Sequence, residues 1–86
     1  MESRAFIKAA GTLISKVNTN RHLIGTAVEL HTQREAVQKE ITQLFAGLQN
    51  PTLPSAYRLR DTALRNGFLV DAKVQHNLAK YEHISG

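Results

Sequence analysis

The sequence predicts an all-α fold, a long antiparallel helical hairpin with an additional N-terminal helix, assembled as a three-helix or dimeric bundle. Three observations predict it. Leu23, Ala27, Leu30, Arg34, Val37, Ile41, Leu44 and Leu48 recur at alternating spacings of four and three, so they share one helical face, and a face of that kind is buried only by another helix. A second stripe, Leu59, Ala63, Val70, Val74, Leu78 and Tyr81, follows with the same period. Between the two stand Asn50, Pro51 and Pro54, which cannot continue a helix and leave room for a tight connection alone, so the flanking helices are expected to be antiparallel neighbours.

The N-terminal helix is expected over about residues 1–19, with Phe6, Ala9 or Ala10, Leu13, Ile14 and Val17 as its apolar stripe and Gly11 as a weak point. Asn18, Thr19 and Asn20 are poor helix formers and good N-caps, which favours a stop and a fresh start there. The central helix, 20–49, carries the heptad seam and the favourable pair Glu35 and Lys39. A turn at 50–54 leads into a last helix, 55–84, with Pro54 or Ser55 at its head and Ser55 read as an N-cap. Asn66 and Gly67 could end that helix at mid-length. The stripe keeps its phase across them, and an unbroken helix matches the central one at about 45 Å, so continuity is expected. Folding the hairpin about Pro51 and Thr52 then places Leu44 near Leu59, Leu30 near Val74, Leu23 near Tyr81, Val37 opposite Gly67 and Arg34 beside Asp71. Arg34, the one charge in the seam, is expected either to reach the solvent edge or to meet Asp71.

At 86 residues the chain is one domain, 1–86, with a core small enough that support from a partner is plausible on size alone. Its 42% apolar and 21% charged residues belong to a folded protein. The absence of cysteine excludes disulfides and thiolate metal sites and fits a reducing compartment, taken as the cytoplasm. No apolar run approaches the roughly 20 residues of a membrane span. Arg4, Lys8 and Lys16 opposite Phe6, Leu13 and Val17 give the first helix the amphipathic pattern of an organelle-targeting segment, although Glu2 and the regular stripe favour a structural helix.

No catalytic pattern is present. Thr12, Ser15 and Ser55 lie on helix faces or at a cap rather than in a strained turn beside a base, no Gly-rich phosphate loop occurs, and the carboxylates are scattered. His22, His31, His76 and His83 are not spaced three or four apart, which removes the usual helical metal-ligand pair, and the hairpin would unite His22 and His83 alone. Neither an enzyme nor a cofactor is expected.

The formal charge of +4 is concentrated at the two ends, because Arg21, Arg34 and Lys39 balance Glu29, Glu35 and Glu40 in the central helix. Arg58 and Arg65, seven residues apart, project from one face, and Lys73 could extend it at the edge, whereas Arg60 points away. Arg58, Arg65 and Lys73 are the candidate nucleic-acid contacts. Asn66 and Gly67 between two helical stretches are superficially like a helix-turn-helix, but Lys73 falls where such a motif wants an apolar residue. Phe6, Leu13 and Val17 are the candidate partner-binding residues, through which the first helix would pack on the hairpin or build a homodimer.

The opening Pro54, Ser55, Ala56, Tyr57 of the last helix also resembles, over the C-terminal half, the Pro-led second helix of needle and needle-chaperone subunits of type III secretion systems. The chain departs from that pattern in its basic charge and in having no Trp, and no family is assigned from it. The functional expectation is a small non-enzymatic helical adaptor or regulator that binds protein and self-associates, with a basic nucleic-acid-binding regulator as the alternative.

Overall fold

The computed structural model describes residues 1–20 and 24–85, with the backbone alone for 83–85. These residues form four helices, α1 (Ser3–Asn20), α2 (Ala27–Ala46), α3 (Pro54–Arg65) and α4 (Ala72–Ser85). The all-α expectation holds. The arrangement differs from a plain hairpin, because α1 packs on both α2 and α3 and lies between them. Its stripe explains why: Phe6, Ala10, Leu13 and Val17 are all buried, a face wide enough to be covered from two sides. With Ile41, Leu44 and Phe45 of α2 and Ala56, Leu59 and Ala63 of α3 they form one core, in which the Phe6 and Phe45 rings lie 6.4 Å apart at a tilt.

Helix α1 continues through Asn18 and Thr19 to Asn20, past the expected stop. The central helix begins later than expected, at Ala27, where the Thr26 hydroxyl accepts a hydrogen bond from Glu29 N at 3.1 Å. Thr26 and Glu29 have the spacing of a capping box, a start signal that the heptad reading of the same stretch passes over. The seam is therefore buried in its second half alone. Val37, Ile41 and Leu44 are interior, Leu48 and Leu30 are half-buried, Ala27 is exposed, and Leu23 lies outside the described residues.

Helix α2 ends at Ala46, short of the expected Gln49, with Gly47 N turning back to the Gln43 and Leu44 carbonyls. In the following turn Asn50 Oδ1 accepts from Thr52 N and from the Thr52 hydroxyl. Pro54, one of the two expected heads, begins α3, so Ser55, read as the N-cap, lies inside the helix. Leu53 is the cap residue and makes no side-chain bond, and the proline supplies a first position that needs no N–H donor.

The single helix expected over 55–84 is two. Gly67 adopts φ 82°, its N–H donates to Leu64 O at 3.1 Å, and Phe68 N donates to Ala63 O at 2.9 Å. That pair of bonds is a Schellman motif, which ends α3 with its last carbonyls satisfied. The motif also explains the misleading phase of the stripe, since it brings the apolar residue after the glycine back onto the helix it closes, and Phe68 is buried beside Ala63. Asp71 then heads α4, its carboxylate accepting from Lys73 N at 2.8 Å.

Candidate interaction surfaces

The link between α3 and α4 is held by two side chains one turn apart on α2. Arg34 donates to the Asn66 carbonyl at 3.2 Å, and its guanidinium lies 4.2 Å from the centre of the Phe68 ring. A cation over the C-terminal carbonyls of α3 also complements the helix dipole. Gln38, the next turn along, bonds both backbone groups of Leu69. Arg34 is exposed, as the solvent-edge alternative expected, and Asp71, its other expected partner, is engaged at the head of α4. Gly67, expected opposite Val37, comes next to Arg34 instead, because a Cβ placed on it would stand 3.4 Å from Arg34 Nη2.

Helix α4 is fastened to α3 by a polar clasp. Arg60 makes two parallel bonds to Glu82, Nη1 to Oε2 at 3.1 Å and Nη2 to Oε1 at 3.2 Å, and its Nε donates to Asp61 at 3.0 Å. The Arg60 side chain is only 12% exposed and lies over the Tyr57 ring, while the Tyr57 hydroxyl donates to the Leu78 carbonyl at 3.1 Å. The hydrogen bonds that Arg60 donates to Glu82, with smaller help from Asp61, raise its pKa above the ordinary value against the opposing effect of burial. Leu78 is the interior anchor of α4 among its described side chains.

The candidate partner-binding residues Phe6, Leu13 and Val17 do not face outward. They are inside the chain's own core, because α1 packs between α2 and α3 and uses its apolar stripe there. The exposed apolar surface is elsewhere. Ile24 is 99% exposed and Val28 76% exposed, at the head of α2, where every residue from Ala27 to Ala36 is exposed except the half-buried Leu30. This overhang of ten residues extends about 15 Å beyond the packed part of the helix. It would be marginal as an isolated helix in water and is propagated from the buried second half.

A groove of about 570 Å³ runs between α1 and the packed half of α2. Met1, Ala5, Ala9, Leu13 and Leu44 supply its apolar lining, and Lys8 and Lys16 stand at its edge. Lys16 is held by Glu40 at 3.2 Å, whereas Lys8 has no ion-pair partner among the described residues.

Arg58, Arg65 and Lys73 are all exposed and, among the described residues, form no ion pair. Arg58 and Arg65 share α3, while the Schellman turn sets Lys73 on a different helix, so the continuous track that one long helix would have given is broken. His31 meets Glu35 at 2.9 Å within α2, and His22 and the His83 side chain lie outside the described residues. Among the described residues no cluster of three His, Asp or Glu could hold a metal ion, and no helix is long and apolar enough to cross a membrane. Comparison with protein-family models, with curated proteins and with solved structures finds no match to this chain.

Proposed function

We propose that this chain is a non-enzymatic helical adaptor or regulator that acts by binding protein, further copies of itself included, in a reducing compartment such as the cytoplasm. The observation that carries this reading is the overhang of α2, where Val28 projects into solvent from a helix half that its own core leaves uncovered, with the exposed Ile24 in the segment just before it. An exposed apolar face on an otherwise packed helix is what a partner helix or groove covers. The test is capture of a defined partner from source lysate by immobilised wild-type chain, run beside Val28→Asp. Capture that Val28→Asp abolishes and that added duplex DNA does not compete supports the reading; equal capture by both chains overturns it.

The second reading, a basic nucleic-acid-binding regulator, is favoured by the exposure of Arg58 and Arg65 on one face of α3 with no carboxylate paired to either among the described residues. Against it stands the turn at Gly67, which sets Lys73 on a separate helix and breaks the track that one long helix would have given.

A further inference from the structure

The most exposed apolar side chains of the described chain, Ile24 just before α2 and Val28 in its first turn, lie at the opposite end of that helix from the apolar groove. Val28 stands on the overhang and Leu44 lines the groove, sixteen residues and about 24 Å apart along α2, so the knob cannot reach its own groove. Their electrostatics are complementary. Beside the knob, Glu29 is exposed and makes no ion pair among the described residues, and beside the groove Lys8 is a cation in the same condition. Ala5 and Ala9 line the groove with methyl groups alone, leaving room for a branched side chain to enter.

We infer that the α1–α2 groove receives Ile24 and Val28 of a second copy of this chain, with Glu29 of the incoming copy set against Lys8. This rests on the reading of the chain as a self-associating protein-binding module and names the surfaces it uses. The interface is knob-to-groove rather than like-to-like. It replaces the expected dimer through Phe6, Leu13 and Val17, which are committed to the interior. A contact of this size is weak and reversible, and it continues from copy to copy unless the rotation closes a ring.

The test is sedimentation equilibrium of two variants, alone and mixed, from about 10 to about 300 μM, the range in which a small interface assembles. Val28→Asp blocks the knob and keeps the groove. Ala5→Glu with Thr12→Glu, at two residues that line the groove, blocks the groove and keeps the knob. All three positions are exposed on helices, so helical content should match wild type. Wild type should show mass rising with concentration, each variant alone should associate at least tenfold more weakly, and the equimolar mixture should recover a one-to-one pair. Ile24→Asp and Lys8→Glu provide a second knob and a second groove variant if either first choice loses helix. A wild type that associates while the variants match it, or while the mixture stays monomeric, overturns the interface and leaves self-association standing. A wild type that remains at 9.6 kDa throughout overturns both, and the capture experiment then decides the adaptor reading separately.

Discussion

Gln38 holds the backbone of Leu69 with both ends of its side-chain amide: Oε1 accepts from Leu69 N at 2.7 Å, and Nε2 donates to Leu69 O at 2.8 Å. The Leu69 side chain itself is 75% exposed, so this residue is positioned by its main chain rather than by burial. The pair ties the connection between α3 and α4 to the middle of α2, thirty-one residues away in sequence. Gln38→Ala removes both bonds to Leu69, together with a longer one to the Thr42 hydroxyl at 3.4 Å, and should cost about 1–2 kcal/mol in a denaturant melt, given a net value near 1 kcal/mol for each of the two short bonds. Gln38→Glu keeps the acceptor and loses the donor, and it should fall between the two. A cost for Gln38→Ala within the scatter of ordinary surface changes would show that the connection is not pinned there.

Gly67 is the residue the Schellman turn requires. Its φ of 82° suits glycine, and an added Cβ would meet only the flexible end of Arg34, so Gly67→Ala tests backbone conformation with little steric interference. The expected loss is about 1–2 kcal/mol, the cost of holding an L-residue in the left-handed region. Gly67→Asn should lose less, because Asn tolerates that region better. Equal stability of all three chains would mean that α3 runs on through the turn in solution.

The two halves of α2 offer a comparison within one helix. Ile41 is fully buried and Val28 is 76% exposed. Ile41→Ala should cost about 2–5 kcal/mol as a cavity in the core. Val28→Ala at monomeric concentration should stay within about 0.5 kcal/mol of wild type. A large loss at Val28 under those conditions would show that the overhang is covered by its own chain.

How much of this was legible in the sequence follows from these same residues. Val37, Ile41 and Leu44 announce a buried face because helical period is a property of neighbouring residues, and the stripe of Phe6, Leu13 and Val17 announces another for the same reason. Periodicity does not say where the face stops being covered. Ala27 keeps the spacing and lies in solvent, and the start of α2 was readable only in the local chemistry of Thr26 and Glu29. At Asn66 and Gly67 two local signals competed, the glycine stop and the unbroken apolar phase, and a Schellman turn satisfies both. The placement of α1 between α2 and α3 depends on stripe width and on contacts distant in sequence. For Arg34 the solvent edge was readable and it is exposed there, whereas the carbonyl it meets belongs to Asn66 and is freed only because the helix ends there. The candidate site fared less well than the fold, since burial turned Phe6, Leu13 and Val17 inward and the projecting Ile24 and Val28 belong to no regular pattern.

The Arg60 clasp predicts local rather than global weakening. Arg60→Ala removes the bidentate contact with Glu82 and the bond to Asp61, while Leu78 remains to anchor α4. Amide hydrogens of α4 should then exchange faster than those of α1 and α3, whose burial is untouched. Arg60→Lys restores the charge without the parallel geometry and should protect α4 only in part. Uniform acceleration across all four helices would show instead that α4 and the core open together.

The basic face of α3 separates the two functional readings. Arg58 and Arg65 are exposed and seven residues apart, so both can meet one phosphate track, whereas Arg60 is occupied by carboxylates. If the chain binds nucleic acid, Arg58→Ala with Arg65→Ala should weaken binding on every sequence and flatten the log-log salt slope by about two, one unit for each lost phosphate contact. Lys73→Ala should change the slope less than either arginine, because Lys73 rides on α4 beyond the turn at Gly67. Arg60→Ala should act through α4 protection and not through the slope. If the chain is a protein adaptor, the double arginine variant should capture its partner as wild type does, and Val28→Asp should not. Fluorescence anisotropy on a labelled duplex and a labelled single strand across a salt series makes the measurement. The expected result, following from the exposed apolar knob on α2, is no binding by wild type at low salt; a steep slope that the arginine pair controls would transfer the function to the basic face.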